Sequence, residues 1–268
     1  MNPSLVHRLA INGREPEMGE LARLAQINYG HFTSLQVRSR AARGFSLHLQ
    51  RLAAATRELF GSELDTGQVR MQLRALLDDA PCSVRITVFS TVFDRGQPER
   101  PVPTDVLMAI TAARTPPAKP LRLRSVVHER ALPAIKHVGT FGVFHELRRA
   151  RRDGFDDALL CTPSGEVSEG TTWNIGFVDG GKIVWPLAPA LAGITRQLLD
   201  RGLRGSGIST ESRHIRLDEL AAYRACFIVN AGSVGPMVEG IDDIRFSVDA
   251  ELPRLIESAY ASQPLETI

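Results

Sequence analysis

Long apolar runs and cysteines are both scarce in this chain of 268 residues. No apolar run approaches the roughly 18 residues of a membrane-spanning helix, so the sequence predicts no membrane partner. The three cysteines, Cys82, Cys161 and Cys226, are scattered and show no metal-ligand spacing, so we expect no metal site. The first residues contain no continuous apolar segment, so we expect no secretory signal and a reduced, cytoplasmic location.

Lysine is also scarce, with Lys119, Lys136 and Lys182 the only examples among 32 basic residues. Any chemistry that needs a lysine amine is therefore restricted to three candidates. The formal net charge of +2 is small, so the composition requires no nucleic-acid partner. The arginine-rich run at 148–152 could bind phosphates of nucleic acid, but such a run is more often the solvated face of a helix.

The hydrophobic content of 43% is typical of a globular protein, and the length allows one large or two ordinary domains. Three prolines stand close together in "ARTPPAKPLRL", where they disfavour both a helix and a central strand. We therefore expect an α+β fold of two domains. The smaller N-terminal α/β domain covers 1–114, a Pro-rich linker covers 115–120, and the larger C-terminal α/β domain covers 121–268.

Hydrophobic periodicity predicts a helix from about Ser46 to Phe60, which Gly61 ends. Further helices are predicted in "DTGQVRMQLRALLDDAP", "GVFHELRRARRDG", "GITRQLLDRGLRG" and "ELPRLIESAYAS". The segment "ALPAIKHVG" favours an extended conformation. Three short strands are expected between residues 157 and 186, with turns at Ser164-Gly165 and at 179–181.

One carboxylate, Glu169, opens the apolar stretch "VSEGTTWNIGF", where burial without a partner would be costly. Lys136 ends another apolar segment, "ALPAIK". Gly193-Ile194-Thr195 begins a helix whose free N–H groups can hold a phosphate, and "NAGS" at 230–233 can form an anion-binding turn. Arg51 offers a guanidinium fork for the same phosphate. An amine, a carboxylate and a phosphate site together are what pyridoxal phosphate needs.

Each of these residues also has an ordinary structural interpretation. Lys136 also fits a lysine whose stem covers apolar surface, and Glu169 also fits a turn residue. Thr195 can be a first-turn hydroxyl, and Arg51 can pair along its own helix. The functional interpretation depends on the order and spacing of the set.

The chain resembles the class IV, or fold type IV, pyridoxal-phosphate-dependent aminotransferase family. This family includes branched-chain and D-amino-acid aminotransferases and aminodeoxychorismate lyase. The resemblance extends from about residue 11 to residue 245. It is carried by "NYGHFTSLQVR", "HLQRL", "IKH", "GFDDALLCTPSGEVSEGTTWNIGF" and "LAGITRQLL", and less closely by "VNAGSVGPMVEGIDDI".

The resemblance implies a two-domain fold type IV enzyme that holds pyridoxal 5′-phosphate in the interdomain cleft and forms a homodimer. Lys136 is similar to the family's Schiff-base lysine, and Glu169 to the partner of the pyridine nitrogen. The other implied cofactor-binding residues are Arg51, Asn174, Gly193, Ile194, Thr195, Asn230 and Ala231. The implied substrate-side residues are Tyr29, Thr33 and Gly232.

The expected reaction is transamination between a small-molecule amino donor and a keto-acid acceptor. "EGTTWNIGF" and "GITR" are similar to aminotransferases, whereas "FTS" at 32–34, Lys136-His137 and Asn230-Ala231 resemble the lyases. Phe141 stands where branched-chain enzymes usually carry a tyrosine. The alternatives are β-elimination to 4-aminobenzoate and pyruvate, and a non-catalytic relative, against which the complete Lys, Glu and Arg set speaks.

Overall fold

The computed structural model describes residues 6–117, 119–248 and 250–268. The chain divides into two compact units. The first contains the described residues up to Arg114 together with Ile135–Gly139 and Leu265–Ile268, and the second contains Thr115–Ala134 and Thr140–Pro264. The sequence interpretation placed both short segments in the domain at 121–268. In the structure, the chain instead returns to the first unit twice after the Pro-rich segment.

The first unit is built on an antiparallel sheet in the order β1-β5-β4-β2, with a short pair of strands, β3 and β15. Three helices, α1 to α3, belong to it. The bounds in chain order are β1 Val6–Ile11, α1 Met18–Gln26, β2 His31–Val37, β3 Ala41–Arg43, α2 Phe45–Phe60, α3 Thr66–Leu76, β4 Cys82–Phe89, β5 Asp105–Ala112 and β15 Leu265–Thr267.

Apolar residues of β2, β4 and β5 pack with the buried face of α2 to form the core of the first unit. Leu49 and Leu52 of α2 are buried in it, as helical periodicity predicts. Gly61 ends α2 in the left-handed conformation, with φ of 62°, which glycine adopts without steric cost. The predicted helix at 46–60 is thereby confirmed.

The second unit is built on a mixed sheet whose main path runs β11-β10-β9-β12-β13-β6-β7-β8, with β14 paired to β13. Apolar clusters form on both faces of the central strands: Phe177 and Ile228 belong to one, Val178 and Phe227 to the other. The bounds are β6 Leu121–Val127, α4 Phe141–Arg152, β7 Asp157–Cys161, β8 Val167–Gly170, β9 Asn174–Asp179, β10 Lys182–Pro186, α5 Ile194–Gly205, β11 Thr210–Arg213, a 3₁₀ helix Leu217–Ala222, β12 Ala225–Asn230, β13 Ser233–Ile241, β14 Ile244–Arg245 and α6 Glu251–Ala261.

The five predicted helices are confirmed as α2 to α6, while α1 was not foreseen. Two strand predictions were wrong. Residues 157–186 contain four strands because a tight turn at 171–173 separates β8 from β9. "ALPAIKHVG" forms turns and bends with a single bridge between His31 and His137, since Pro133 lies inside a turn. In the described ranges, no helix combines the length and apolar character needed to cross a membrane.

Helices α5 and α6 approach so closely at Gly202 that an added Cβ would strike the carbonyl of Ala259. We predict that Gly202→Ala lowers the free energy of unfolding by about 1–3 kcal/mol through overpacking. Gly205→Ala, in the same helix with open space around it, should raise it by about 0.5–1 kcal/mol. Urea unfolding followed by circular dichroism measures both. Equal effects of the two substitutions would contradict the close approach.

Candidate active site

Lys136 is held in the first unit by its backbone. The N–H of Phe32 donates to the Lys136 carbonyl at 2.8 Å, and the N–H of Val138 donates to the Gly30 carbonyl at 2.9 Å. The Lys136 amine lies 4.9 Å from the centre of the Phe32 ring, within cation–π range. The segment therefore has a defined position beside the start of β2, although it forms no strand.

Arg51 lies on α2 and belongs to a polar cluster with Thr33 and His48. Its Nη2 donates to Thr33 Oγ1, and that oxygen lies 2.6 Å from His48 Nδ1. The Nε of Arg51 is buried without a hydrogen-bond partner among the described residues. Burial lowers the pKa of Arg51 to about 10, which leaves it charged at neutral pH. A buried N–H without an acceptor is costly, so the cluster fits an added anionic acceptor.

The hydroxyl of Thr33 is thus engaged with Arg51 and His48, and Thr33 has no exposed surface. The substrate-side position that the resemblance implies for Thr33 stays a prediction. Tyr29, the other such residue in this unit, donates its hydroxyl to the Leu59 carbonyl at 2.9 Å. Its ring stacks on Phe93 with centroids 4.5 Å apart, so the tyrosine packs against the core of the first unit.

Arg85 on β4 is a cation that sequence reasoning missed. Its guanidinium lies 3.6 Å from the centre of the Phe32 ring, the ring that the Lys136 amine also faces. Its Nε donates to Thr87 Oγ1 at 3.3 Å, and no described carboxylate forms an ion pair with it. A strand pattern alone does not reveal which arginine will contact the same aromatic ring as a lysine from a distant segment.

In the second unit, Glu169 is buried at the end of β8 and pairs with Arg130. Arg130 Nε and Nη2 lie 2.8 and 2.7 Å from Glu169 Oε1. The N–H of Leu191 donates to Glu169 Oε2 at 3.2 Å. Arg130 also donates to the Pro133 carbonyl at 2.6 Å, which ties the carboxylate to the turn that precedes Lys136 in the chain. The carboxylate therefore has a side-chain partner that the sequence interpretation did not identify.

The turn between β8 and β9 explains the polar residues of "VSEGTTWNIGF". Trp173 Nε1 and Thr171 Oγ1 donate to the two oxygens of Asp157 at 3.0 and 2.7 Å. Burial raises the pKa of Asp157, and these hydrogen bonds partly offset that effect. Gly170 is required because a Cβ there would strike the Trp173 ring. Trp173 thus closes the turn and leaves Glu169 and Asn174 in fixed positions.

Asn174 on β9 contacts the loop that leads into α5. Its Nδ2 donates to the Leu191 carbonyl at 3.0 Å, while the Leu191 N–H is bound by Glu169. A Cβ on Gly193 would strike Asn174 Oδ1, so only glycine allows this approach. Ser168 Oγ donates to the Pro189 carbonyl at 2.6 Å in the same loop. Side chains of β8 and β9 therefore set the entry into α5.

Gly193 is the N-cap of α5, and Ile194 and Thr195 are buried in its first turn. The geometry of a helix leaves the first N–H groups without intrahelical acceptors, and the helix dipole favours an anion there. At the hairpin between β12 and β13, Asn230 Oδ1 accepts from the Gly232 N–H at 2.9 Å, and its Nδ2 donates to the Thr172 carbonyl. Ala231 lies within this turn, so Asn230 shapes it through local hydrogen bonds.

The first unit thus brings together Lys136 and Arg51, and the second brings Glu169 close to the loop before α5. The residues fit pyridoxal phosphate by the chemistry of their groups. Lys136 offers an amine, and Arg51 Nε is buried without a partner in the described part of the chain. Helix α5 begins with a glycine N-cap, which has no side chain to occupy the first N–H groups. Glu169 offers a buried carboxylate, which Arg130 and the Leu191 N–H hold in place.

Arg130 was missed because "HERAL" has no periodicity that distinguishes it from a surface loop. We predict that Arg130→Ala lowers the free energy of unfolding by about 3 kcal/mol, because it removes one partner of a buried ion pair. Arg124→Ala, which breaks the more exposed pair with Asp153, should cost less than about 1 kcal/mol. Urea titrations of both variants test this. A loss for Arg130→Ala no larger than for Arg124→Ala would contradict it.

Comparison with solved structures shows the fold. A branched-chain aminotransferase from Thermoproteus uzoniensis with norvaline superposes with a TM-score of 0.83 at 18% identity, covering 95% of this chain and 94% of the other. A hypothetical aminotransferase from Mycobacterium tuberculosis in a PLP-bound form gives 0.77 at 18% identity, covering 95% and 99%. Fold type IV transaminase from Curtobacterium pusillum gives 0.80 at 19% identity, covering 93% and 91%. The α+β fold type IV prediction is therefore confirmed.

Sequence comparison gives shorter matches. A probable branched-chain-amino-acid aminotransferase from Rickettsia felis is 30% identical over 96 residues, which is 35% of this chain and 33% of that protein. The counterpart from Rickettsia typhi is 28% identical over 118 residues, or 42% and 41%. The chain thus aligns with about a third to two fifths of the length of these curated relatives.

The family model described as amino-transferase class IV matches residues 30–239, which is most of the chain. That span contains Lys136, Arg51 and Glu169. The chain therefore belongs to the class IV aminotransferases, a family of pyridoxal-phosphate enzymes.

Proposed function

We propose that this protein is a pyridoxal-phosphate-dependent aminotransferase that acts on an amino acid or a related amine through Lys136. The observation that carries the proposal lies in the first unit, where Arg51 Nε is buried without a hydrogen-bond partner among the described residues and the Lys136 amine faces Phe32. An anion-seeking guanidinium and a lysine amine in one unit match the phosphate and the aldehyde of the cofactor. Membership of the class IV family supports the same conclusion.

When bound, pyridoxal phosphate supplies a ring that takes up negative charge from the substrate's α-carbon. Lys136 would hold the cofactor through Nζ, and the same amine would carry the α-proton as general base and acid. Glu169 would keep the ring nitrogen protonated. Arg51 would bind the phosphate, a role that the resemblance also implies for the N–H groups of Ile194 and Thr195.

The position of Arg85 supports the proposal that the substrate carries a carboxylate. Its guanidinium shares the Phe32 ring with the Lys136 amine and forms no ion pair with a described carboxylate. Amino acids and keto acids both carry such a group, which a guanidinium binds as a fork. The related proteins are named for branched-chain amino acids, so aliphatic amino acids are the first donors to test.

We also propose a cytoplasmic homodimer. Helix α4 exposes Phe141 to 82% and Phe144 to 51%. Gly142 lies against the His128 ring, so the start of α4 is adjacent to the end of β6, where Val127 is also exposed. Large exposed apolar side chains of this kind are usually covered by a partner, and a second copy of this chain fits the family.

The lyase alternative loses one of its supports. "FTS" resembles the lyases at Thr33, but that hydroxyl is bound to Arg51 and His48. Its presence therefore concerns the position of Arg51 and favours neither reaction. Release of pyruvate from aminodeoxychorismate, without a keto-acid acceptor, would support the lyase.

We predict that borohydride treatment of the cofactor-bound protein attaches a pyridoxyl group permanently to Lys136. Reduction makes the bond between the lysine amine and the cofactor's aldehyde carbon stable to proteolysis, and peptide mass mapping locates it. Lys136→Ala should give no labelled peptide, while Lys182→Ala should label as the parent does. A label on Lys119 or Lys182 in the parent would assign the amine elsewhere.

We predict that Glu169→Gln slows removal of the substrate's α-proton by about 100-fold or more, because the charge that supports the transition state is lost. Exchange of that proton with deuterated water, followed by NMR, measures the step. Glu166→Gln, which alters an accessible carboxylate paired with His214, serves as the matched control. Parent-like exchange in Glu169→Gln would make Glu169 a structural partner of Arg130 alone.

A further inference from the structure

We propose that Thr33 and His48 are positioning residues that hold the Arg51 fork ready for a phosphate group. The proposal rests on the proposed function, because it concerns how that phosphate is bound. It is carried by a cluster that lies wholly in the first unit: Arg51 and His48 on α2, and Thr33 on β2.

One hydrogen-bond direction in this cluster is fixed by chemistry. A guanidinium has only donors, so Thr33 Oγ1 must accept from Arg51 Nη2. As part of the proposal, we assign the hydroxyl proton of Thr33 to His48 Nδ1, 2.6 Å away. That assignment makes His48 a neutral acceptor with its proton on Nε2.

The surroundings of His48 maintain that neutral form. Burial lowers its pKa well below the usual value, and the nearby charges of Arg51 and Lys136 lower it further. A protonated His48 would have no acceptor for the Thr33 hydroxyl and would repel Arg51. The neutral histidine thus serves as the final acceptor of the chain that runs from Arg51 through Thr33.

The cluster fixes one nitrogen of the Arg51 guanidinium and leaves a second available to an anion. Nη2 is held by Thr33, while the buried Nε has no partner among the described residues. A guanidinium held in this way loses little further freedom when it binds an anion. Thr33 therefore contributes to phosphate affinity without contacting the phosphate.

The same helix provides a matched control. Thr56 of α2 is also fully buried and lies 3.0 Å from a histidine nitrogen, His31 Nε2. Burial lowers the pKa of His31 to about 4, so that histidine is neutral as well. Within the described ranges, no arginine hydrogen-bonds to Thr56. Replacing either threonine with valine removes one buried hydroxyl, but only Thr33→Val affects the Arg51 fork.

The experiment measures dissociation constants of inorganic phosphate and of pyridoxal phosphate for the cofactor-free full chain, by calorimetry. We expect Thr33→Val to weaken both by about tenfold, the equivalent of about 1.4 kcal/mol. Thr33→Ser, which restores the hydroxyl, and Thr56→Val should bind both probes as the parent does. If Thr33→Val does not fold, Thr33→Ala removes the same hydroxyl without adding a methyl group.

Three outcomes would overturn the inference: parent-like affinity in Thr33→Val, equal losses in Thr33→Val and Thr56→Val, or no recovery in Thr33→Ser. Arg51→Ala separates this failure from that of the proposed function. If Arg51→Ala binds both probes as the parent does, the phosphate site itself is misassigned. If only Arg51→Ala weakens binding, Arg51 binds phosphate without help from Thr33.

Discussion

The buried ion pair between Arg130 and Glu169 is the constraint around which the second unit's candidate site is arranged. A carboxylate removed from water needs charge or hydrogen-bond partners, and Glu169 obtains them from Arg130 and the Leu191 N–H. These two partners come from separate segments of the chain. The pair therefore fixes the turn at Pro133 and the loop before α5 relative to β8.

The loop before α5 is held at more than one point. Ser168 binds the Pro189 carbonyl, Glu169 binds the Leu191 N–H and Asn174 binds the Leu191 carbonyl. The carboxylate and the helix start therefore share one rigid support within this unit. Asn174 resembles a cofactor contact, but it also holds this loop in place. Substituting it would therefore disturb the loop as well as any contact with the cofactor.

The first unit stabilises its cations differently. Arg51 is met by the neutral hydroxyl of Thr33, and the Lys136 amine and the Arg85 guanidinium face the Phe32 ring. Neutral oxygens and rings stabilise a cation without cancelling its charge. The positive charge thereby remains available to an anion, such as the phosphate of the proposed cofactor.

The sequence by itself determined the helices α2 to α6, because their apolar periodicity is local. Order and spacing also led to the prediction that Lys136, Arg51 and Glu169 form one set, since each motif is contiguous. Only the tertiary structure decided the partners. Arg130 reaches Glu169 across 39 positions, and Arg85 reaches Phe32 across neighbouring strands. Such contacts follow from how strands pair and where turns place side chains, and no local pattern encodes them.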